Sequence, residues 1–249
     1  MTNDRVVWVA GVGGGLGTAV VLTLLADGST VVGLARRRAT LDRLAAAPDG
    51  PGRFEAEPAD LTSTAEVEAA AARTIARHGR IDSVALLAGR WVPGPTAIHE
   101  LSEGLWAEAI EGNLTPIHRV LHAVVPGMIE RGRGSIVLVS ATEAVRARGS
   151  AAYAAAKAGV AELAGRLAAD YRRNGIRVNA VLPGNMGREA ATRRPDDASP
   201  VPLAAANPTA PWAVARAVRF LLSDESAWTT GATLRVDGGF STGGAEPTP

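Results

Sequence analysis

The sequence predicts one domain of α/β class, a doubly wound parallel sheet of seven strands with helices on both faces. Short β-rich runs alternate with Ala-rich helical stretches along the whole chain. Most of the strand runs are apolar, the pattern of a sheet covered on both sides. Right-handed crossovers between parallel strands then wind the sheet in both directions. The chain has 249 residues, 47% hydrophobic and 20% charged, enough to bury such a core without staples.

In chain order, strands are expected at 5–10, 30–34, 53–57, 83–87, 135–140, 177–181 and 233–236, each a short apolar or β-branched run. Helices are expected at 16–26, 41–47, 64–78, 102–111, 114–131, 151–173 and 211–222. Residues 188–211, rich in Pro, Asp and Ala, interrupt the alternation and read as a surface flap, and residues 241–249 as a tail. The domain is therefore read as 1–249.

Cysteine is absent, which excludes disulfides, thiolate nucleophiles and cysteine metal sites, and no metal is expected. A net charge of +1 argues against a nucleic-acid partner. The start of the chain lacks the basic and apolar regions of a signal peptide, and no apolar run approaches a membrane span. The expected setting is the cytoplasm, with no membrane partner. The 26 basic side chains comprise 25 Arg and a single Lys, Lys157.

The first strand runs into Ala10-Gly11-Val12-Gly13-Gly14-Gly15-Leu16-Gly17. Glycines at such a place let the chain turn tightly and a pyrophosphate approach the backbone, while the next helix offers free N–H groups to that anion. A tight turn without a ligand is the plainer alternative, and the position in the first βα unit argues against it. In dinucleotide-binding folds an acidic residue after the second strand binds the ribose 2′-hydroxyl. Here the chain reads Ala35-Arg36-Arg37, with no carboxylate. An Arg fork suits a 2′-phosphate, so NADP is expected in preference to NAD, with Arg36 as first contact and Arg37 as second. A solvated basic helix start is the alternative.

Tyr153 and Lys157 stand four apart at the start of a predicted helix and share one face. A phenol's ordinary pKa of about 10 is too high for acid/base work near neutrality. A neighbouring ammonium would lower it. Ser140, thirteen residues before Tyr153, ends a strand on the side where open α/β sheets place their ligands. Its hydroxyl would hold a substrate oxygen for Tyr153. Taken singly, these residues read as an interfacial Tyr, a surface Lys and a turn-starting Ser.

These motifs, in this order, resemble the short-chain dehydrogenase/reductase family in its single-domain branch, over roughly residues 6–239. The resemblance implies a Rossmann-type fold. It implies that Gly11, Gly15 and Gly17, with Gly13, Gly14 and Leu16, form the Gly-x-x-x-Gly-x-Gly cofactor turn. Asp60, beside Leu61, would hold the adenine amino group, or else help cap a helix with Thr62. Ala88 and Gly89 would leave room for the adenine ribose, and Pro183 and Gly184 would lie near the nicotinamide. Asn113 would join the catalytic set by bending a helix and holding a water that links Lys157 to solvent, or cap the second helix. Arg188 replaces a usual Thr and would contact the pyrophosphate. Leu86 and Leu87 replace the family's two asparagines and Ala10 its Thr, so a polar tie is exchanged for apolar packing. Asp237-Gly238-Gly239 is read as structural.

The implied reaction moves hydride between C4 of the nicotinamide and a carbonyl or alcohol carbon. Ser140 and Tyr153 bind the oxygen, Tyr153 exchanges the proton, and Lys157 lowers its pKa and orients the ribose. Trp91, Val145, Met186 and Trp212 are candidates to shape the substrate pocket, Trp91 and Met186 as its contacts, with plain packing the alternative for each; the set suits a small or flat apolar ketone. A homo-oligomer, tetramer or dimer, is implied. A catalytically silent NADP-binding sensor or scaffold is the alternative, and a lyase such as a dehalogenase a second. Both rivals tend to lose residues that this chain keeps.

Overall fold

The computed structural model describes residues 5–46, 50–93, 97–186 and 209–242. In chain order these form β1 (Val6–Ala10), α1 (Gly15–Ala26), β2 (Thr30–Ala35), α2 (Arg38–Ala45), β3 (Arg53–Pro58), α3 (Thr64–His78), β4 (Ser83–Leu86), α4 (Glu103–Asn113) and α5 (Thr115–Arg131). Then come β5 (Gly134–Val139), α6 (Glu143–Arg146), α7 (Ala151–Tyr171), β6 (Ile176–Pro183), α8 (Pro211–Leu222) and β7 (Thr233–Val236). The seven strands pair in the order β3-β2-β1-β4-β5-β6-β7, every pair parallel. The winding direction reverses between β1 and β4, which opens a crevice beyond their carboxyl ends.

Successive strand residues point to opposite faces, and the sheet therefore divides two apolar cores. Val6, Trp8 and Ala10 face one side with Val32 and Leu34, where α3, α5 and α7 cover them. Val7 and Val9 face the other with Val31, under α1, α2 and α8. Trp8, fully buried, satisfies its indole by donating to Thr74 Oγ1 of α3 at 3.1 Å.

The expected elements are present, with shifts at their ends. The helix expected at 41–47 begins at Arg38, and the strand expected at 177–181 runs on to Pro183. Among the described residues one α-helix was not expected: α6 is a single turn, too short to show a period. The cap of α3 is Ser63, whose Oγ accepts from Glu66 N at 3.3 Å, rather than Asp60 or Thr62. The expected flap lies outside the described residues up to 208, as does the tail from 243.

One polar network ties the sheet to α8. Arg177 of β6 donates to Leu221 O at 2.9 Å, Ser223 O at 3.0 Å and Thr229 O at 3.2 Å, and to the hydroxyls of Ser226 and Ser135. The C-terminal carbonyls of a helix lack intrahelical donors and carry partial negative charge, so a guanidinium suits them. Burial and the nearby charge of Arg5 push the Arg177 pKa down, against the pull of Asp224.

Candidate active site

A cleft of about 950 Å³ opens at the carboxyl end of the sheet, across the switch point between β1 and β4. It gathers residues that are far apart in sequence: Gly11, Gly13, Gly14, Leu16 and Gly17, then Ala35, Arg36, Arg37, Asp60 and Leu61, then Ala88, Gly89 and Trp91. Ser140, Tyr153, Lys157, Pro183, Gly184 and Met186 line the same space. Gly15 opens α1 and is not in the lining. Asn113 sits just behind the wall. Arg188 lies outside the described residues.

The glycines of the turn divide by physical role. Gly11 has φ +101°, and a Cβ there would come within 2.6 Å of Ala88 N. Gly17 is pressed on Val12, where a Cβ would lie 2.5 Å from Cα. Both are demanded by backbone approach. Gly13 and Gly14 are exposed, and a Cβ at either would meet nothing within 4 Å. Packing does not require them, whereas an anion close to the backbone would. Gly14 caps α1 with no side-chain hydrogen bond, and the first turn of α1 holds no acidic residue. The open helix end thus fits a pyrophosphate.

The exchanged polar tie has a backbone substitute. Leu87 N and Ala88 N both donate to Ala10 O, at 2.9 and 3.0 Å, and Ala10 and Leu86 are buried. The turn keeps its place on β4 without side-chain amides.

At the adenine end, Asp60 Oδ1 accepts from Thr62 N at 2.9 Å and Thr62 Oγ1 at 2.7 Å. Its Oδ2 stands 3.8 Å from exposed Arg36. Burial raises its pKa, but the Thr62 hydrogen bonds and the charges of Arg36 and Arg119 outweigh it and hold the carboxyl below its ordinary value. Arg36 and Arg37 follow β2 on the exposed rim of the cleft.

The reacting end is built on α7. Ser150 Oγ caps this helix by accepting from Tyr153 N at 3.2 Å, which fixes the turn that carries the phenol. Tyr153 is 5% exposed. Burial pushes its pKa up to about 12, opposed by the Arg146 guanidinium of α6. Arg146 was not among the residues the sequence picked out. Lys157 Nζ donates to Val139 O at 3.2 Å. It also crowds Gly89, where a Cβ would lie 2.7 Å from Nζ and 3.2 Å from Asn113 Oδ1. Burial without a carboxylate partner pushes the Lys157 pKa down to about 8. Ser140 Oγ donates to Lys157 O at 2.5 Å, so its proton is engaged while its lone pairs remain.

Asn113 is the last residue of α4 and is fully buried. Its Nδ2 donates to Arg90 O at 3.0 Å and Ala109 O at 2.9 Å, and its Oδ1 accepts from Arg90 N at 3.2 Å. It pins the loop after β4. The helical path breaks at Leu114, which caps α5, so Asn113 is not that cap. Gly184 is required by approach: a Cβ there would lie 2.5 Å from Thr209 Oγ1 and 2.8 Å from Asp237 Cβ. Asp237 accepts from Gly239 N and Ser241 N, and so holds the segment after β7.

Val145 lines the cleft, whereas Trp212 does not; Arg216 lies over its ring at 4.9 Å. Sequence reasoning missed Arg90, Arg146 and Arg148 around the phenol, hidden among many arginines. It also missed Gly149, although the Ser150 cap three residues before Tyr153 marked that turn.

The Lys157 shift has a stability consequence. The folded chain holds this ammonium less tightly than the unfolded chain, so stability rises with pH from about 8 toward the ordinary 10.5. Below about 8 both states are charged and the full penalty stands, roughly 3 kcal/mol at one pKa unit per 1.4 kcal/mol. Lys157→Met is expected to unfold at higher denaturant than the parent chain below pH 8, and that advantage should shrink across the window. A constant gap between the two curves would contradict the buried ammonium.

A doubly wound sheet with an open glycine turn at its switch point is the framework of Rossmann-type, nicotinamide-dependent oxidoreductases. Residues 11–241 match the family model described as Enoyl-(Acyl carrier protein) reductase. The chain belongs to the short-chain dehydrogenase/reductase family and is an oxidoreductase of that type. It is 31% identical to the 3-oxoacyl-acyl-carrier-protein reductase FabG of Thermotoga maritima, covering 95% of this chain and 98% of the relative. It is 35% identical to the cis-4-hydroxycyclohexanecarboxylate dehydrogenase of Sinomonas cyclohexanicum, covering 96% and 97%. Among solved structures, a 3-ketoacyl-ACP reductase from Sinorhizobium meliloti superposes with a TM-score of 0.80 at 31% identity, covering 96% of this chain and 99% of that one.

Proposed function

We propose that this chain is an NADP(H)-dependent ketoreductase that interconverts a ketone and a secondary alcohol, with Tyr153 as acid/base. The observation that carries the reading is one cleft holding Tyr153, Ser140 and Lys157 at one end and Arg36 and Arg37, with no carboxylate after β2, at the other.

When bound, the reduced cofactor supplies the hydride that converts the carbonyl carbon to an alcohol carbon. Gly11, Gly13, Gly14, Leu16 and Gly17 would hold its pyrophosphate, and Arg36 its 2′-phosphate. Asp60, Leu61, Ala88 and Gly89 would wall its adenosine, and Pro183 and Gly184 its nicotinamide end. Tyr153 Oη gives its proton to the nascent alkoxide. Ser140 turns its hydroxyl from Lys157 O to the substrate oxygen. Lys157, held between Val139 O and Gly89, would orient the cofactor. Trp91, Val145 and Met186 give the substrate end an apolar wall, and Arg148 there makes no ion pair among the described residues.

The relatives named above act on 3-oxoacyl and hydroxycycloalkane-carboxylate compounds, which selects the test. NADPH oxidation is followed with 3-oxoacyl thioesters, cyclic ketones and keto acids. Turnover of at least one ketone is expected, and none with any would refute the reading. Arg36→Ala is expected to weaken NADPH binding about 10-fold or more, the loss of a charged hydrogen bond, with NADH affinity little changed. Equal losses for both cofactors would assign Arg36 another role.

The assembly is proposed to be a homotetramer or homodimer. Leu105 and Trp106 on α4, Ile129 on α5, Phe220 on α8 and Leu234 on β7 are exposed apolar side chains that a second copy would cover. Light scattering measures the mass.

A further inference from the structure

The geometry points to a clamp on the catalytic phenol: we propose that Trp91 and Gly149 are positioning residues that fix the Tyr153 ring and shield it from water. The inference rests on the reading of Tyr153 as the acid/base.

Helical side chains lean toward the N-terminus of their helix. Tyr153, in the first turn of α7, therefore lies back over the residue before the Ser150 cap, which is Gly149. A Cβ on Gly149 would lie 2.5 Å from Tyr153 Cδ1, 3.1 Å from Cγ and 3.3 Å from Cβ. The φ of Gly149 is not positive, so conformational freedom does not explain the glycine; the ring does. Trp91 meets the ring from another side, edge to face, with centroids 4.8 Å apart and planes at 67°. Trp91 is itself 48% exposed, so the ring it covers is in contact with a solvent-facing side chain.

The two jaws are joined. Pro93 and Gly149 form an antiparallel bridge, and Ser150 N donates to Val92 O at 3.2 Å. The loop after β4 is thus stitched to the loop before α7. Val92, Ala109 and Ala152 complete a small apolar cluster around Tyr153, apart from both main cores. Asn113, by holding Arg90 N and O, anchors the Trp91 jaw from behind.

The charged groups around the ring are Arg146 on α6, Arg148 in the loop before α7 and Lys157 on α7 itself. On the α4 side are Arg90, paired with Glu108, and Glu111. None of these belongs to the clamp, so its removal changes hydration of the phenol without changing charge. Less burial favours phenolate, and the ionisation must move down from about 12 toward the ordinary 10.

The chain has two tyrosines, and a Tyr171→Phe background leaves Tyr153 as the sole phenol. Tyrosinate absorbance is titrated on folded protein, with circular dichroism recorded alongside. Trp91→Ala is expected to lower the Tyr153 ionisation by about one unit, and Trp91→Phe to restore it. This measurement needs no turnover, so it decides the clamp even if every ketone fails. With an active ketone, Gly149→Ala is expected to lower kcat about 100-fold with KM nearly unchanged, the cost of an ångström-scale misplacement. It should add nothing in a Tyr153→Phe background. An unmoved titration in Trp91→Ala, or full turnover in folded Gly149→Ala, would overturn the proposal.

Discussion

Tyr153→Phe is expected to lower kcat by about a thousandfold, within the range of a lost general acid, while NADPH binding stays near that of the parent chain. The substitution removes one oxygen and keeps the ring that Trp91 and Gly149 grip. The Ser150 cap acts on the backbone of residue 153 and is not disturbed. The variant therefore separates proton donation from folding. Single-turnover rates and a fluorescence titration of NADPH check the two halves. Turnover within tenfold of the parent chain would remove Tyr153 from the chemistry. Parent protein that binds NADPH and turns over nothing would instead favour the silent nucleotide binder.

Arg177→Met is expected to cost about 3 kcal/mol, because it strips a charged donor from several acceptors at once. Leu221 O still receives the hydroxyls of Ser135 and Ser226. Ser223 O likewise keeps Ser226, and Thr229 O keeps Asn179 Nδ2, so the loss is that of the charged bonds rather than of every partner. Arg177→Lys should recover only part of the loss, since an ammonium lacks the planar fork that reaches both sides. Denaturant midpoints measure this. Identical midpoints for Met and Arg would show that water replaces the guanidinium without cost.

The sheet was legible because its strands are buried on both faces and its βα punctuation is strong. The run Val6–Ala10 followed by glycines admits few readings, and the absence of a carboxylate near Arg36 is visible without coordinates. Ser140, Tyr153 and Lys157 were legible as a spacing, and the fold does bring them to one cleft. What they do to one another was not. Local sequence puts Lys157 on the face of Tyr153, yet its ammonium goes to Val139 on another element. The partner of a buried donor is set by tertiary packing, which helical periodicity does not encode. Arg146 was missed for the same reason, carried on a helix of four residues among 25 arginines. Asn113 was placed in the right region, but its three hydrogen bonds to Arg90 and Ala109 make it a brace. The leucines at 86 and 87 looked like a loss, and the compensation lies in two main-chain bonds to Ala10.

The solitary ammonium at position 157 has a practical consequence. The other 25 of its Lys and Arg side chains are guanidinium groups, which acylating reagents ignore at moderate pH, and acyl groups on its four imidazoles hydrolyse. Stable side-chain acylation to an amide has a single target, and in the folded state that target is 5% exposed at the floor of the cleft. Mass spectrometry after a brief acylation pulse would count opened molecules directly, and any ligand that seals the cleft would register as slower labelling.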